Sequence, residues 1–342
     1  MRLRDLKLIN YRNCKELELN LESEKILIIG KNAQGKTNIL ESIYFLSTLK
    51  TPRTSNNIEL INFDAEKAEI NCNMLKAETD VELDYTYSRE KKRELAINKV
   101  KTTPKNFKSV LKTVLFSTAD LLLLRGNPSD RRDWLDRAIA QIYPAYDDRL
   151  SKYDKIRIQK NNLLKDYLKT GNLNETLLDV YNEQLVIAGS NIIFLRIKFL
   201  KEIERIASEK HHIISETEEL KINYDCSFLN GETELEAIAS AFHKSLEERK
   251  IEETRRGQAC VGPHRDDIIF YINGNEATKF ASQGQQRTDV LAELDDLRQN
   301  YLLKSISENT QTIITSVDTV LFEDAFLKDV KIYKIENGEI VR

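Results

Sequence analysis

The chain has 342 residues, 41% hydrophobic and 31% charged, which supplies a large core divided between two lobes and marks an ordinary soluble globular protein. No apolar run approaches the roughly 20 residues that cross a bilayer, and no signal-peptide block opens the chain, so a cytoplasmic protein without a membrane partner is expected. The net charge of −3 excludes a molecule drawn as a whole to polyanions, and Cys14, Cys72, Cys226 and Cys260, widely spaced with no CxxC pair, suggest neither a zinc site nor a disulfide framework.

Residues 1–29 read as short strands, with alternation at 3–8 and 17–21, and the apolar run 26–29 feeds the string Gly30, Lys31, Asn32, Ala33, Gln34, Gly35, Lys36, Thr37. The string fits GxxxxGK[ST] and precedes a helix-like run at 38–49, so it predicts a phosphate-binding loop for a nucleoside triphosphate. Two glycines let the backbone curl until successive N–H groups face one anion, which also meets the positive end of the following helix. Lys36 would reach the β- and γ-phosphates and Thr37 would hold Mg²⁺. The bland alternative is a glycine-containing surface turn.

Strand patterns dominate 68–100, with a charged hairpin tip. Between residues 88 and 108 stand eight basic residues (Arg89, Lys91, Lys92, Arg93, Lys99, Lys101, Lys105, Lys108) against Glu90 and Glu94, a local balance of +6. A solvated turn and a phosphate contact are equal alternatives there, and Arg89, Lys91, Lys92 and Arg93 are the candidate contacts. From residue 129 long helical periodicity follows, at 146–169, 174–187 and 191–210, with breaks expected at Gly171 and near Gly189. Strand character returns at 267–272, at 311–316 and in a terminal hairpin around Asn337-Gly338. The simplest architecture is α/β: a nucleotide-binding lobe of residues 1–128 and 262–342 carrying an inserted helical lobe, residues 129–261, which lacks sustained heptads.

Several polar residues carry two explanations. His264 suits a structural turn better than chemistry, since His211, His212 and His243 offer it no metal-ligand spacing. Arg131 and Arg132, just inside a helix start, need an answering carboxylate such as Asp136 or a DNA phosphate. Residues 216–219 read as a solvated helix end, and Trp134 as part of the helical core.

A second motif, FASQGQQRT at 280–288, resembles the signature of ATP-binding-cassette ATPases, whose Ser and Gly contact the γ-phosphate held by a partner subunit. With NYRNCKELEL (10–19), LLLLRGNPSDRRDWLD (121–136), VGPHRDDIIFYING (261–274) and AELDDLRQNYL (292–302), the chain resembles the RecF family of bacterial recombination mediators from end to end. The resemblance implies a P-loop ABC-type ATPase head lobe with an inserted helical lobe, related to the heads of structural-maintenance-of-chromosomes and Rad50 proteins. It implies an ATP-dependent homodimer in which Ser282, Gly284 and Gln285 close on the partner's nucleotide, with ATP and Mg²⁺ as cofactors and slow DNA-stimulated hydrolysis. It also implies binding to double-stranded DNA and single/double-strand junctions, and cooperation with RecR and RecO to load RecA.

One departure matters. In the family a helix and an apolar strand ending in two acidic residues follow the signature, and here Thr288 runs directly into Asp289. Asp289 matches the second acidic residue, the candidate for positioning the attacking water, and Thr288 stands where the first would hold Mg²⁺. A helix, strand and connection need about 20 residues or more. Either the sequence closes over residues of the natural chain, or the protein lacks the element and hydrolyses ATP abnormally. Thr118, Thr51 and Pro52 also depart from the family pattern, leaving Arg53 as a candidate nucleotide or DNA contact. Three functions follow: a DNA-binding ATPase switch, a nucleotide-gated scaffold with impaired hydrolysis, and a small-molecule kinase or GTPase. The last lacks an NKxD string, since Asn98-Lys99-Val100-Lys101 ends in lysine.

Overall fold

In the computed structural model, described over residues 1–54, 56–90, 92–117, 120, 122–215, 217–277, 310–320, 322 and 324–341, the chain opens with two strands whose alternation sets their buried face. β1 (Arg2–Tyr11) buries Leu3, Leu6, Leu8 and Tyr11, the longer first step arising from a bulge between Leu3 and Asp5. β2 (Cys14–Asn20) buries Cys14, Leu17 and Leu19. β3 (Lys25–Ile29) instead buries Ile26, Leu27 and Ile28 in succession, the pattern of a strand covered on both faces, and leads through a loop into α1 (Lys36–Thr48).

β4 (Lys67–Lys76), β5 (Thr79–Ser88), β6 (Arg93–Ile97) and β7 (Val100–Lys101) complete an antiparallel sheet in the order β2-β1-β4-β5-β6-β7. Its tight turns at Ala77-Glu78 and Asn98-Lys99 hold both central residues at positive φ, the geometry that suits two-residue hairpins. The buried sides of these strands, α1 and Phe107 of α2 (Pro104–Lys108) form one core.

Beyond a short α3 (Leu122–Arg125), α4 (Pro128–Ile142) starts where the Asp130 carboxylate accepts the Asn127 N–H at 2.8 Å. α5 (Tyr146–Thr170) ends at Gly171 in the left-handed region, as expected. α6 (Glu175–Ser215), however, runs unbroken through Gly189. There the glycine serves packing: an added Cβ would lie 2.6 Å from Phe242 and 3.1 Å from Tyr153. β8 (Leu220–Asp225), α7 (Leu235–Glu248), α8 (Lys250–Arg256), β9 (Asp267–Ile272) and β10 (Asn275–Glu276) follow, with the strands ordered β10-β9-β8.

The chain then returns to β3. β11 (Thr312–Ser316) and β12 (Val330–Glu336) flank it in parallel, and β13 (Glu339–Val341) folds back on β12. The Gln311 amide accepts the Leu3 N–H at 2.7 Å and donates to the carbonyls of Leu3, Leu21 and Ser23, joining β11 to the first strands.

Two compact units result, Met1–Phe116 with the C-terminal strands, and the described chain from Ser117 through residue 277. The division differs from the sequence expectation, which returned residues 262–277 to the first lobe. β9 pairs along its whole length with β8, and Ile268 and Phe270 enter the core of the second unit beside Phe242 and Leu185.

Gly189→Val should overpack the second core and lower its stability by about 1–3 kcal/mol. The single Trp, Trp134, packs against that core, so urea unfolding followed by its fluorescence reads the change.

Candidate functional site

The loop after β3 is built by backbone approaching backbone. At Gly30, φ +152, an added Cβ would stand 2.3 Å from the Ile335 carbonyl oxygen on β12. The chain curls through Ala33, φ +64, and Gly35, φ +106, into α1, whose first turn holds no acidic residue and whose Gly35 cap offers no side chain. The positive end of that helix is therefore available to an anion. The Lys36 ammonium, nearly buried, donates to the carbonyls of Gly30 and, at 2.8 Å, Lys31. Lys31, Asn32, Ala33 and Thr37 are exposed along the crown, and Gln34 is half-buried.

The terminal hairpin braces this loop. The Asn337 N–H donates to Gln34 Oε1 at 2.6 Å and the Gly338 N–H to the Gln34 carbonyl at 2.9 Å. Gly338, φ +81, lies so close to the turn between β1 and β2 that an added Cβ would sit 2.6 Å from the Asn13 carbonyl oxygen. The Asn13 side chain accepts the Asn38 amide at 2.6 Å and fills the space over Gly35.

Behind the loop, Glu41 of α1 is 1% exposed. It accepts Arg12 Nε at 3.0 Å, Arg12 Nη2 at 2.7 Å and the Thr51 hydroxyl, with Arg53 Nη1 3.8 Å away. Arg53 also donates to Asn38 Oδ1 at 2.7 Å, so this predicted contact stands beside the start of α1. Arg12 reaches on to the Glu59 carbonyl at 3.1 Å, and its own carbonyl accepts the Asn62 amide at 2.7 Å. Sequence reasoning missed Glu41, Asn13 and the brace from Asn337-Gly338. A carboxylate among the apolar residues of a predicted helix was the available signal for Glu41.

Other predicted residues are placed differently. Arg89 is committed to the fold, its guanidinium donating to the carbonyls of Asn62, Phe63 and Ala65. Lys92 pairs with Glu90 at 2.6 Å, and Arg93 is exposed at the start of β6. Arg131 binds Asp267 through two bonds of 2.7 Å, so of the two expected answers, a carboxylate such as Asp136 or a DNA phosphate, a carboxylate meets it, and Arg132 donates to the Asp266 carbonyl. Asp136 is instead held by buried Arg196, through two bonds of 2.9 Å, and by the Tyr146 hydroxyl. His264 Nδ1 faces the Tyr153 hydroxyl at 2.7 Å, and burial pushes its pKa down to about 3. The four cysteines are free and buried, and burial raises Cys14 to about 11 and Cys72 to about 12. Among the described residues no group of His, Cys, Asp and Glu could hold a metal ion, and no helix is long and apolar enough to cross a membrane. Lys91, Thr118, Ser282, Gly284, Gln285, Thr288 and Asp289 lie outside the described residues.

A strand, a glycine-curled loop with its lysine, and a helix on a mixed sheet define a P-loop ATPase domain, and the family model of the AAA ATPase domain matches residues 1–339. The chain is 34% identical over 370 residues to the DNA replication and repair protein RecF of Bacillus velezensis, covering 100% of both, and 33% identical over 370 residues to that of Bacillus subtilis, again covering 100% of both. It belongs to the RecF family. The solved structure of the recombination mediator protein RecF-ATP in the RecFOR pathway is similar with a TM-score of 0.88 at 29% identity, covering 99% of this chain and 97% of that one. The Smc head domain from Pyrococcus furiosus shares the fold, with a TM-score of 0.53 at 15% identity over 99% of this chain and 96% of that one. The alignment to the first relative runs over 370 residues where this chain has 342, so at least 28 positions, the difference, have no counterpart here.

Two outcomes test this geometry. Gly338→Ala adds a clash to an unfavourable φ, so it should cost about 1–3 kcal/mol and speed amide exchange at Gln34 and Gly35, whereas Gly274→Ala, with nothing within 4 Å, should cost less. His264 should keep the NMR signature of a neutral imidazole from pH 8 down to about pH 5, because its folded pKa lies below that window.

Proposed function

We propose that this protein is a nucleotide-gated switch of recombinational repair and replication-fork maintenance. ATP held at Gly30, Lys31, Asn32, Ala33, Gln34, Gly35, Lys36 and Thr37 closes a homodimer, and the closed dimer holds DNA at single/double-strand junctions. The observation that carries the proposal is the braced loop at the open N-terminus of α1, with the Lys36 ammonium resting on its own loop carbonyls. That amine can exchange those carbonyls for the β- and γ-phosphates. The exposed Thr37 at the helix start fits a Mg²⁺ ligand, and the metal would neutralise charge between the phosphates. Arg53, steadied by Asn38 and Glu41, supplies a further cation beside the same helix end.

Ser282, Gly284 and Gln285 of the second copy are assigned the closing contact on the γ-phosphate, so that the nucleotide joins the two subunits. Moving such an equilibrium from 1:99 to 99:1 takes a difference of about 5.5 kcal/mol in affinity between the two states. RecR, RecO and RecA are assigned as the proteins that act with the closed form, by likeness to the RecFOR relatives.

A second version, a gate with impaired hydrolysis, rests on one observation of the sequence: Thr288 runs directly into Asp289, where the family resemblance expects a helix and a strand ending in the acidic pair. Both versions require nucleotide-dependent dimerisation. Light scattering with ATP and Mg²⁺ should show a dimer that Lys36→Ala abolishes, and a parent chain that stays monomeric would refute the proposal. Phosphate release from that dimer, lost in Asp289→Asn, selects the hydrolysing switch, and a dimer without phosphate release selects the gate.

A further inference from the structure

The phosphate loop gathers cations and backbone N–H groups, and the helix after it brings no available carboxylate for Mg²⁺. That metal keeps several of its waters and is held through one or two carboxylates besides the phosphates. The first turn of α1 has no acidic residue, and Glu41, further along, is occupied by Arg12 and Thr51. At position 288, where the family resemblance expects the acid that orients the metal's water shell, stands an uncharged threonine.

The strand order points to a substitute. Ligands of open α/β sheets bind outside the carboxyl ends of the parallel strands, and β11 lies directly beside β3, the strand that feeds the loop. At the end of β11, Ser316 pairs with Ile29, and the next carbonyl, that of Val317, accepts the Gly30 N–H at 3.2 Å. Gly30 in turn offers its own carbonyl to the Lys36 ammonium. Asp318 therefore stands one residue beyond a direct bond to the first residue of the loop. It is exposed, its Oδ1 accepts the Val320 N–H at 3.0 Å, and no cation among the described residues pairs with it.

A second observation marks the same strand end. The Ser316 hydroxyl is buried without a hydrogen-bond partner, in a residue 4% exposed. Such a group is a cost to the fold, and an oxygen or a water arriving with a ligand would remove it. The other carboxylates beside the loop are placed less well. Glu336, which follows Ile335 on β12, pairs with Lys334 at 3.0 Å, and Glu339 lies on antiparallel β13, two strands from β3.

We propose that Asp318 is the carboxylate that orients the water shell of the nucleotide's Mg²⁺, the part that the family resemblance gives to an acid at position 288. The inference rests on the function proposed above and deepens it by completing the metal side of the same site. Thr37 and the phosphates meet the metal itself, and Asp318 holds the waters around it.

The test is the affinity of Mn²⁺ for the full chain with ATP, read by electron paramagnetic resonance, beside calorimetry of ATP binding in EDTA. Asparagine keeps the acceptor that the Val320 N–H uses, so Asp318→Asn removes the charge and spares the turn. This variant should bind Mn²⁺ about 10- to 100-fold more weakly in the ATP complex, with ATP affinity in EDTA unchanged, and Asp318→Glu should recover part of the loss. Parental Mn²⁺ affinity in Asp318→Asn overturns the assignment, as does a loss that follows Asp289→Asn, Glu336→Gln or Glu339→Gln instead. In either case the nucleotide switch stands if the parent still dimerises with ATP and Mg²⁺ in light scattering. A parent that binds no ATP refutes the switch and this metal site together.

Discussion

The close approach of three backbone segments around Gly30, Gly35 and Gly338 is the constraint on which the nucleotide loop depends. β12 lies against Gly30, the side chain of Asn13 lies over Gly35, and the carbonyl of Asn13 lies against Gly338. None of these places has room for a side chain, and all three residues hold positive φ, which glycine adopts with little penalty. Gln34 is then fixed through both its side chain and its carbonyl by the terminal hairpin. The loop is thus shaped before any ligand arrives, and little ordering remains to offset the gain from phosphate contacts.

The second constraint is electrostatic. Glu41 is a buried carboxylate whose desolvation is offset only because Arg12, Arg53 and Thr51 converge on it. Removing one partner from such a buried pair costs about 3–5 kcal/mol, since the remaining charge is left unanswered. The network joins the turn after β1, the loop after α1 and α1 itself, so a shift of the helix start on binding would be felt at Arg12 and Arg53 together.

Much of this was legible in the sequence. Period-two alternation located β1 and β2, strand character over 68–100 covered β4 and β5, and the Asn337-Gly338 pair located the last hairpin, because each signal is local. The loop motif was legible because its glycines answer a backbone requirement. What escaped were properties of pairing and partners. The strand at 267–272 was visible as a strand, but its pattern does not say which sheet receives it, and it joined β8. Gly189 carries the same letter whether it breaks a helix or admits a neighbour's ring, and only the position of Phe242 decides. Composition placed positive charge at the hairpin tip, yet composition is silent on whether a guanidinium faces solvent or, as in Arg89, its own fold.

The parallel neighbours of β3 bear on how the protein is made. Residues 25–29 wait for partners at 312–316 and 330–336, nearly the whole length of the chain later. The antiparallel sheet can assemble from its own hairpins as it leaves the ribosome, but at about 5–20 residues per second the strand beneath the phosphate loop stays unflanked for roughly 15–60 seconds of synthesis. Only a finished polypeptide can shape the pocket, so an interrupted translation product would carry the motif and yet be unable to use it.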